Sequence, residues 1–324
     1  MKILVTGGAG FIGSHLIEDL VKDRKNNITI IDNLSTGRKD NLKPFLKKIK
    51  FAKVDLKSNI EKYFKNVDVV YHIAAFADIV QSIIKPKDYF NSNVLATQNI
   101  LEACVKHNVK KIVYTASSSC YGIPKKFPTN EEQKIQTLYP YALTKKIGED
   151  LIMHWGKVYK INVTSLRLFN VYGTRSRTSG TYGAMFGVFL KQKISNQPFT
   201  VVGDGSQKRD FTYVTDVVRA LKLASKYKKS NQIFNVGSGK TVSINKICNL
   251  LKGKKIYIPK RPGEPDITFA DTKKIKKELK WKPKISINEG IEILLANIDY
   301  WNNAPLWTKP KIKIATKDWF KYLS

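Results

Sequence analysis

Residues 1–13 read MKILVTGGAGFIG. Residues 2–6 form a short apolar run that predicts a buried strand. Gly7, Gly10 and Gly13 then punctuate a turn, with Phe11 and Ile12 inside it, into a helix that begins near Ser14. The three glycines suit three tasks: a tight turn off the strand, close approach of backbone N–H groups to a pyrophosphate, and packing of the helix on the sheet. Unpaired N–H groups and the dipole at the helix N-terminus favour an anion there. A second apolar run, residues 28–31, ends in Asp32, 19 positions after Gly13. That is about where a carboxylate bonds an adenosine ribose, and an aspartate there repels the extra phosphate of NADP. The cofactor expected is NAD.

At 324 residues the chain has room for one large or two modest domains. Its formal charge of +31 raises nucleic acid or an anionic membrane as partners. Only eight of the 57 basic residues are arginine, however, and the lysines are spread over the whole length without a basic arm or tail. The charge reads as a lysine bias on solvated faces, with no nucleic-acid and no membrane partner. In such a chain the arginines mark places that want a planar, bidentate donor. Arg167, Arg175, Arg177, Arg209 and Arg261 all fall in the second half. Cys104, Cys120 and Cys248 lack metal-ligand spacing, so no metal site is expected. Their odd number, with a strand starting at residue 2, predicts a reducing cytoplasm and no targeting segment. No run approaches the ~20 apolar residues of a bilayer span.

Strand and helix patterns alternate through the first half, which predicts an α/β fold with a doubly wound parallel sheet of Rossmann type over residues 1–172. Further strands are expected at residues 51–54, 67–72, 111–115 and 162–168, with long helices at 89–108 and 139–159. Residues 173–324 predict a smaller mixed α/β region that covers the substrate, with strands free to return to the main sheet. Short strands are expected at 199–202, 233–236 and 256–258, and helices at 186–194, 214–227, 244–251, 272–279 and 287–301. The aromatic-rich stretch 304–324 is expected to dock. Asn33, Ser35, Thr36 and Gly37 follow Asp32 in a loop suited to wrap adenosine, and Asp55 and Leu56 suit an adenine contact. Ala74 and Ala75 are small residues at a strand's C-terminal end, where ligands lie in open sheets. His72 reads either as a base or as a structural histidine under the sheet edge, with the structural reading favoured.

Tyr141 and Lys145, in PYALTK, are four residues apart and share one helix face. A tyrosine near its reference pKa of ~10 is a poor base at neutral pH. A neighbouring ammonium and a positive nicotinamide ring both favour the phenolate. The motif follows a serine cluster, in which Ser117 is the natural third member, bonding the substrate oxygen that Tyr141 deprotonates. Ser118 and Ser119 either assist or satisfy a turn.

TGGAGFIGSHL, DNLSTG, HIAA, ASSSCYG, YALTK, RLFNVYG, GDGSQKRDFTYVTDV, FNVGSG and RPGEPD occur here in the order seen in the NAD-dependent epimerase/dehydratase family, over residues 1–271. This family lies within the extended short-chain dehydrogenase/reductases, and the chain most resembles its UDP-hexose 4-epimerases. The resemblance implies a nucleoside diphosphate sugar as substrate, a UDP-sugar above all, and a homodimer built from the helices at 89–108 and 141–159. It implies that Asn170, Arg209 and Arg261 hold the diphosphate. Gln207 and Tyr213 would line the nucleotide pocket, and Glu264 would bond its ribose. The other reading of Arg209 is an ion pair with Asp210 or Asp216. Family dehydratases carry an Asp–Glu pair, and uronate decarboxylases a Glu, where this chain has Ser118 and Ser119. Neither serine has a useful acid or base pKa, which favours epimerisation over a dehydratase, decarboxylase or net 4-dehydrogenase. A non-catalytic NAD-binding protein is the remaining alternative. The loop at 174–182 is expected to shape the sugar pocket, with Arg175 or Arg177 facing a sugar carboxylate, the diphosphate or a partner subunit. Asp78 receives no role.

Overall fold

The computed structural model describes residues 1–176 and 182–323. Its first half runs β1 (Lys2–Thr6), α1 (Phe11–Leu20), β2 (Asn27–Asp32), β3 (Ile49–Lys53), β4 (Val69–His72), α2 (Ile79–Ile84), α3 (Pro86–Phe90), α4 (Ala96–Lys106), β5 (Lys111–Ser117), α5 (Pro140–Val158), β6 (Asn162–Leu168) and β7 (Val171–Tyr172). The second half adds α6 (Met185–Ile194), β8 (Phe199–Val202), β9 (Lys208–Arg209), β10 (Thr212–Tyr213), α7 (Val214–Lys226), β11 (Gln232–Val236), β12 (Val242–Ser243) and α8 (Ile244–Leu250). β13 (Lys255–Ile258), α9 (Lys273–Leu279), α10 (Ile287–Ala296), α11 (Lys309–Ala315) and α12 (Lys317–Leu323) complete it.

Seven parallel strands form the main sheet in the order β11-β6-β5-β4-β1-β2-β3. The order reverses between β1 and β4, and such a reversal opens a crevice beyond the strands' C-terminal ends. Alternation along β1 explains the two covered faces. Ile3 and Val5 enter a core with Leu16 and Ile17 of α1 and Val217 and Leu221 of α7, while Leu4 joins Ile100 of α4 and Ile152 of α5 on the other side. A third core gathers Phe186, Phe189, Phe199, Trp301 and Trp319 in the second half.

One strand of the second half returns to the main sheet, and one expectation changes. β11 belongs to the main sheet, in register with β6 from Gln232 opposite Thr164 to Val236 opposite Leu168. The helix expected at 89–108 is interrupted by a π-helical turn at Asn91–Leu95. Within that turn Asn93 exchanges hydrogen bonds with the Phe76 backbone, accepting at 2.8 Å and donating at 3.0 Å, and donates to Thr144 Oγ1 at 3.1 Å. Asn93 thus ties the loop after β4 to the helix carrying Tyr141. No described helix is long and apolar enough to cross a membrane.

Candidate active site

A cleft of about 900 Å³ lies beyond the strand ends. At one end are Gly7, Gly10, Phe11, Ile12 and Gly13. Gly7 has φ +71°, and a Cβ on Gly13 would lie 2.1 Å from the Gly7 carbonyl oxygen, so no larger residue fits this turn as built. Asp32 Oδ2 accepts from the Ala9 N–H at 2.9 Å and Oδ1 from the Leu34 N–H at 2.8 Å. Each oxygen keeps a lone pair for an added hydroxyl. Burial raises the Asp32 carboxyl while these two N–H groups draw it back. Asn33, Ser35, Thr36, Asp55, Leu56, Ala74 and Ala75 also line the cleft; Gly37 does not, and packs against the Asp32 carboxylate. The glycine cradle and the carboxylate at the end of β2 fit NAD.

Ser117, at the end of β5, lies beside Tyr141 and Lys145 of α5 in the middle of the cleft. Ser119 donates to Ser117 Oγ from its hydroxyl at 2.8 Å and its backbone N–H at 3.2 Å. The Tyr141 hydroxyl lies near the Ser117 and Ser119 hydroxyls, whose influence favours its phenolate. Lys145 Nζ stands 4.2 Å from the centre of the Tyr114 ring. Burial pushes Tyr141 above its ordinary value, and the Asp78 charge adds to this, while the two serine hydroxyls oppose it. Burial also pulls Lys145 from 10.5 down to about 7, with Glu149 countering. The burial that raises the tyrosine also disfavours the charged form of the lysine.

The Lys145 shift has a consequence for stability. Between about pH 7 and 10.5 the unfolded chain holds a proton that the folded chain does not, so stability falls as pH falls through that window. Lys145→Met therefore raises the melting temperature of the cofactor-free protein at pH 7, by about 2 °C or more, and flattens its rise toward pH 10. Calorimetry across that range checks both; a variant less stable than the parent at pH 7 contradicts them.

His72 is structural. Its Nε2 donates to Thr97 Oγ1 at 2.9 Å, since that hydroxyl spends its own proton on the Asn93 carbonyl, and its Nδ1 accepts from Thr6 Oγ1 at 2.9 Å. Fully buried, the ring is held neutral with its pKa pulled down to about 3.

At the far end Ser118, Asn170, Gln207, Arg209, Arg261 and Glu264 line the same cleft. Arg209 pairs with Glu264 at 3.0 Å, and with neither Asp210 nor Asp216. Asp210 is taken up by backbone N–H groups of Ser238, Gly239 and Ala270, and Asp216 by Arg219. Glu264 also lies 3.8 Å from Arg261, and its Oε2 has no hydrogen-bond partner among the described residues. Asn170 Oδ1 accepts from Thr268 at 2.7 Å.

One expectation fails here, and two arginines are taken up by carboxylates of the chain itself. Tyr213 does not line the cleft: as part of β10 it is buried with its ring edge-on to Tyr172. Arg167 does not reach it either, because β6 points its side chain under α5, where Glu149 takes it at 2.6 Å. Arg175 does line the cleft, yet is held by Glu18. Arg177 and the middle of its loop fall outside the described residues. Tyr182, at the end of the loop expected to shape the sugar pocket, lines the cleft, while sequence reasoning missed Arg38, Tyr139, Trp307 and Trp319 as cleft residues. Tyr139, two residues before Tyr141, carried a positional signal, and the two tryptophans lay in a stretch expected to dock; Arg38 carried none.

A doubly wound parallel sheet with a glycine turn after its first strand, and a Ser–Tyr–Lys cluster at its open end, defines a nucleotide-binding protein of the short-chain dehydrogenase/reductase type. A model of the NAD-dependent epimerase/dehydratase family matches residues 3–237, and the chain belongs to that family. A putative UDP-glucose 4-epimerase of Methanocaldococcus jannaschii is 40% identical over 300 residues, covering 90% of this chain and 96% of its own. The structure of UDP-glucose 4-epimerase from Thermotoga maritima with UDP-glucose matches with a TM-score of 0.85 at 31% identity, covering 93% of this chain and 99% of that one. UDP-glucuronic acid 4-epimerase from Bacillus cereus, in complex with UDP-glucuronic acid and NAD, gives 0.86 at 34% identity, with the same coverages.

Proposed function

We propose that the protein is an NAD-dependent UDP-sugar 4-epimerase. The observation that carries this reading is the contact of Tyr141 with Ser117 and Ser119 in a cleft whose neighbouring positions, Ser118 and Ser119, offer no acid or base for loss of water. When bound, NAD supplies the hydride acceptor for the sugar C4 and then the donor. Asp32 and the glycine turn hold it, and Lys145 bonds its nicotinamide ribose. Tyr141 takes the C4 hydroxyl proton, with Ser117 bonding the same oxygen, and returns the proton after the 4-keto sugar has turned over. Because Tyr141 is raised by burial, its basic form depends on positive charge brought beside it on binding. Arg209, Arg261 and Asn170 hold the diphosphate, and Glu264 Oε2 accepts a ribose hydroxyl. Residues 1–172 carry the cofactor and most of 173–324 the nucleotide sugar.

Purified protein with NAD is incubated separately with UDP-glucose, UDP-N-acetylglucosamine and UDP-glucuronate. One substrate gives a product of unchanged mass with inverted C4 couplings by NMR and no accumulating NADH. A product lighter by water or carbon dioxide overturns the assignment.

The family setting is cytoplasmic, and a homodimer is supported by apolar residues left exposed on α3 to α5. Phe90, Leu95, Leu143 and Val158 are each at least 40% exposed. Sedimentation at micromolar concentration gives a dimer that Leu143→Glu dissociates; a monomeric parent protein contradicts it.

A further inference from the structure

The family match opens at residue 3, and the relatives above are matched over 96–99% of their own lengths but over only 90–93% of this chain. The family model ends at residue 237, so the segment holding α11 and α12 lies outside its match. That segment is built into the cleft. Ala304, Pro305, Trp307 and Trp319 all line it. Trp319 is 3% exposed and donates from its indole N–H to the Pro262 carbonyl at 2.7 Å. Its ring lies 5.5 Å from the Arg261 guanidinium and 6.2 Å from the Tyr139 ring. The Tyr182 ring also lies 4.9 Å from the Arg261 guanidinium, which donates to its hydroxyl. Trp307 in turn packs edge-on against Tyr182 at 5.4 Å.

We infer that the C-terminal segment is part of the substrate site, with Trp319 the positioning residue that fixes Arg261 for the nucleoside diphosphate. An arginine fork binds a diphosphate well only when its plane is set beforehand, since ordering a long side chain on binding costs affinity. Two aromatic faces and the Pro262 anchor do that here. Trp319 also joins Arg261 to Tyr139, two residues before Tyr141, so one side chain connects the diphosphate end of the cleft with the start of the catalytic helix. This rests on the reading of the cleft as a UDP-sugar site.

The test uses the full chain with NAD. UDP binding is followed by calorimetry, which needs no turnover, and the KM and kcat of whichever UDP-sugar is epimerised are read alongside it. Trp319→Ala weakens UDP and raises KM by about tenfold, the scale of a desolvated cation–π contact, and lowers the melting temperature as any loss of a buried ring does, while kcat and NAD content stay close to the parent. Trp319→Phe, which keeps an aromatic face, recovers most of the loss. Ile314→Ser, at a position 77% exposed on α11, changes nothing. Unchanged UDP affinity in Trp319→Ala overturns the inference. So does a fall in NAD content as large as the fall in UDP affinity, or a Trp319→Phe variant that regains stability but not UDP affinity, either of which marks a purely structural role. Parent protein that binds UDP but epimerises no sugar overturns the epimerase reading and leaves this one standing.

Discussion

Tyr141→Phe lowers kcat by about 10²–10⁴-fold, the usual contribution of a positioned acid–base group, and leaves NAD and UDP affinity near the parent values. The removed oxygen is the atom that lies near the Ser117 and Ser119 hydroxyls, and the ring that remains keeps its packing edge-on to Tyr89 at 6.4 Å. Single-turnover absorbance at 340 nm separates chemistry from release: the variant shows no transient reduction of the cofactor when UDP-sugar is added. Ser117→Ala gives a smaller loss, because the Ser119 hydroxyl still lies near the tyrosine. Turnover within tenfold of the parent in Tyr141→Phe removes this residue from the mechanism. The ordering of the two variants also discriminates, since a merely structural Tyr141 gives no reason for its loss to exceed that of Ser117.

The largest stability effect is expected behind the site. Arg167 and Glu149 are both almost fully buried, with Nη2 to Oε1 at 2.6 Å and Nε to Oε1 and Oε2 at 3.1 Å each. Ser165 donates to Glu149 at 2.8 Å, and Arg167 donates to the Tyr121 hydroxyl at 2.9 Å and the Glu131 carbonyl at 3.1 Å. The Tyr121 hydroxyl donates to Asn235 Oδ1 at 2.7 Å. The network thus joins α5, β6 and β11 to the segment after the serine cluster. Removing one partner strands a charge in low dielectric, so Arg167→Met loses about 3–5 kcal/mol in urea unfolding. Glu149→Leu with Arg167→Met loses less than the sum of the single changes, because neither charge is left alone. Additive losses contradict a coupled pair. Glu149 also shares a helix face with Lys145 and keeps its pKa from falling further. Glu149→Gln therefore moves the alkaline dependence of activity as well as stability.

The sequence alone determined the nucleotide half of this protein. The strand–glycine–helix turn, Asp32 and the Tyr141–Lys145 spacing are local patterns, readable because each depends on residues a few positions apart. β2 to its aspartate, β5 to its serines and α5 with its Tyr–Lys face all form where the periodicity of their residues places them. The serines at 118 and 119, by lacking an acid, also narrowed the chemistry. Tertiary structure alone decided what each arginine does. Arg167, Arg209 and Arg261 look alike in a lysine-rich chain, yet one is swallowed by Glu149, one is paired across the cleft and one is clasped by aromatics from residues 182 and 319. Those partners lie 18 to 79 positions away, and no local pattern encodes them. The same holds for Tyr213, turned into the core by β10, and for the π-helical turn that aims Asn93 across α5. It holds above all for the C-terminal helices. They are lysine-rich, and each is only seven residues long, too short to be stable alone. They become a wall of the site because Ile312 and Trp319 find a hydrophobic core already assembled by the rest of the chain.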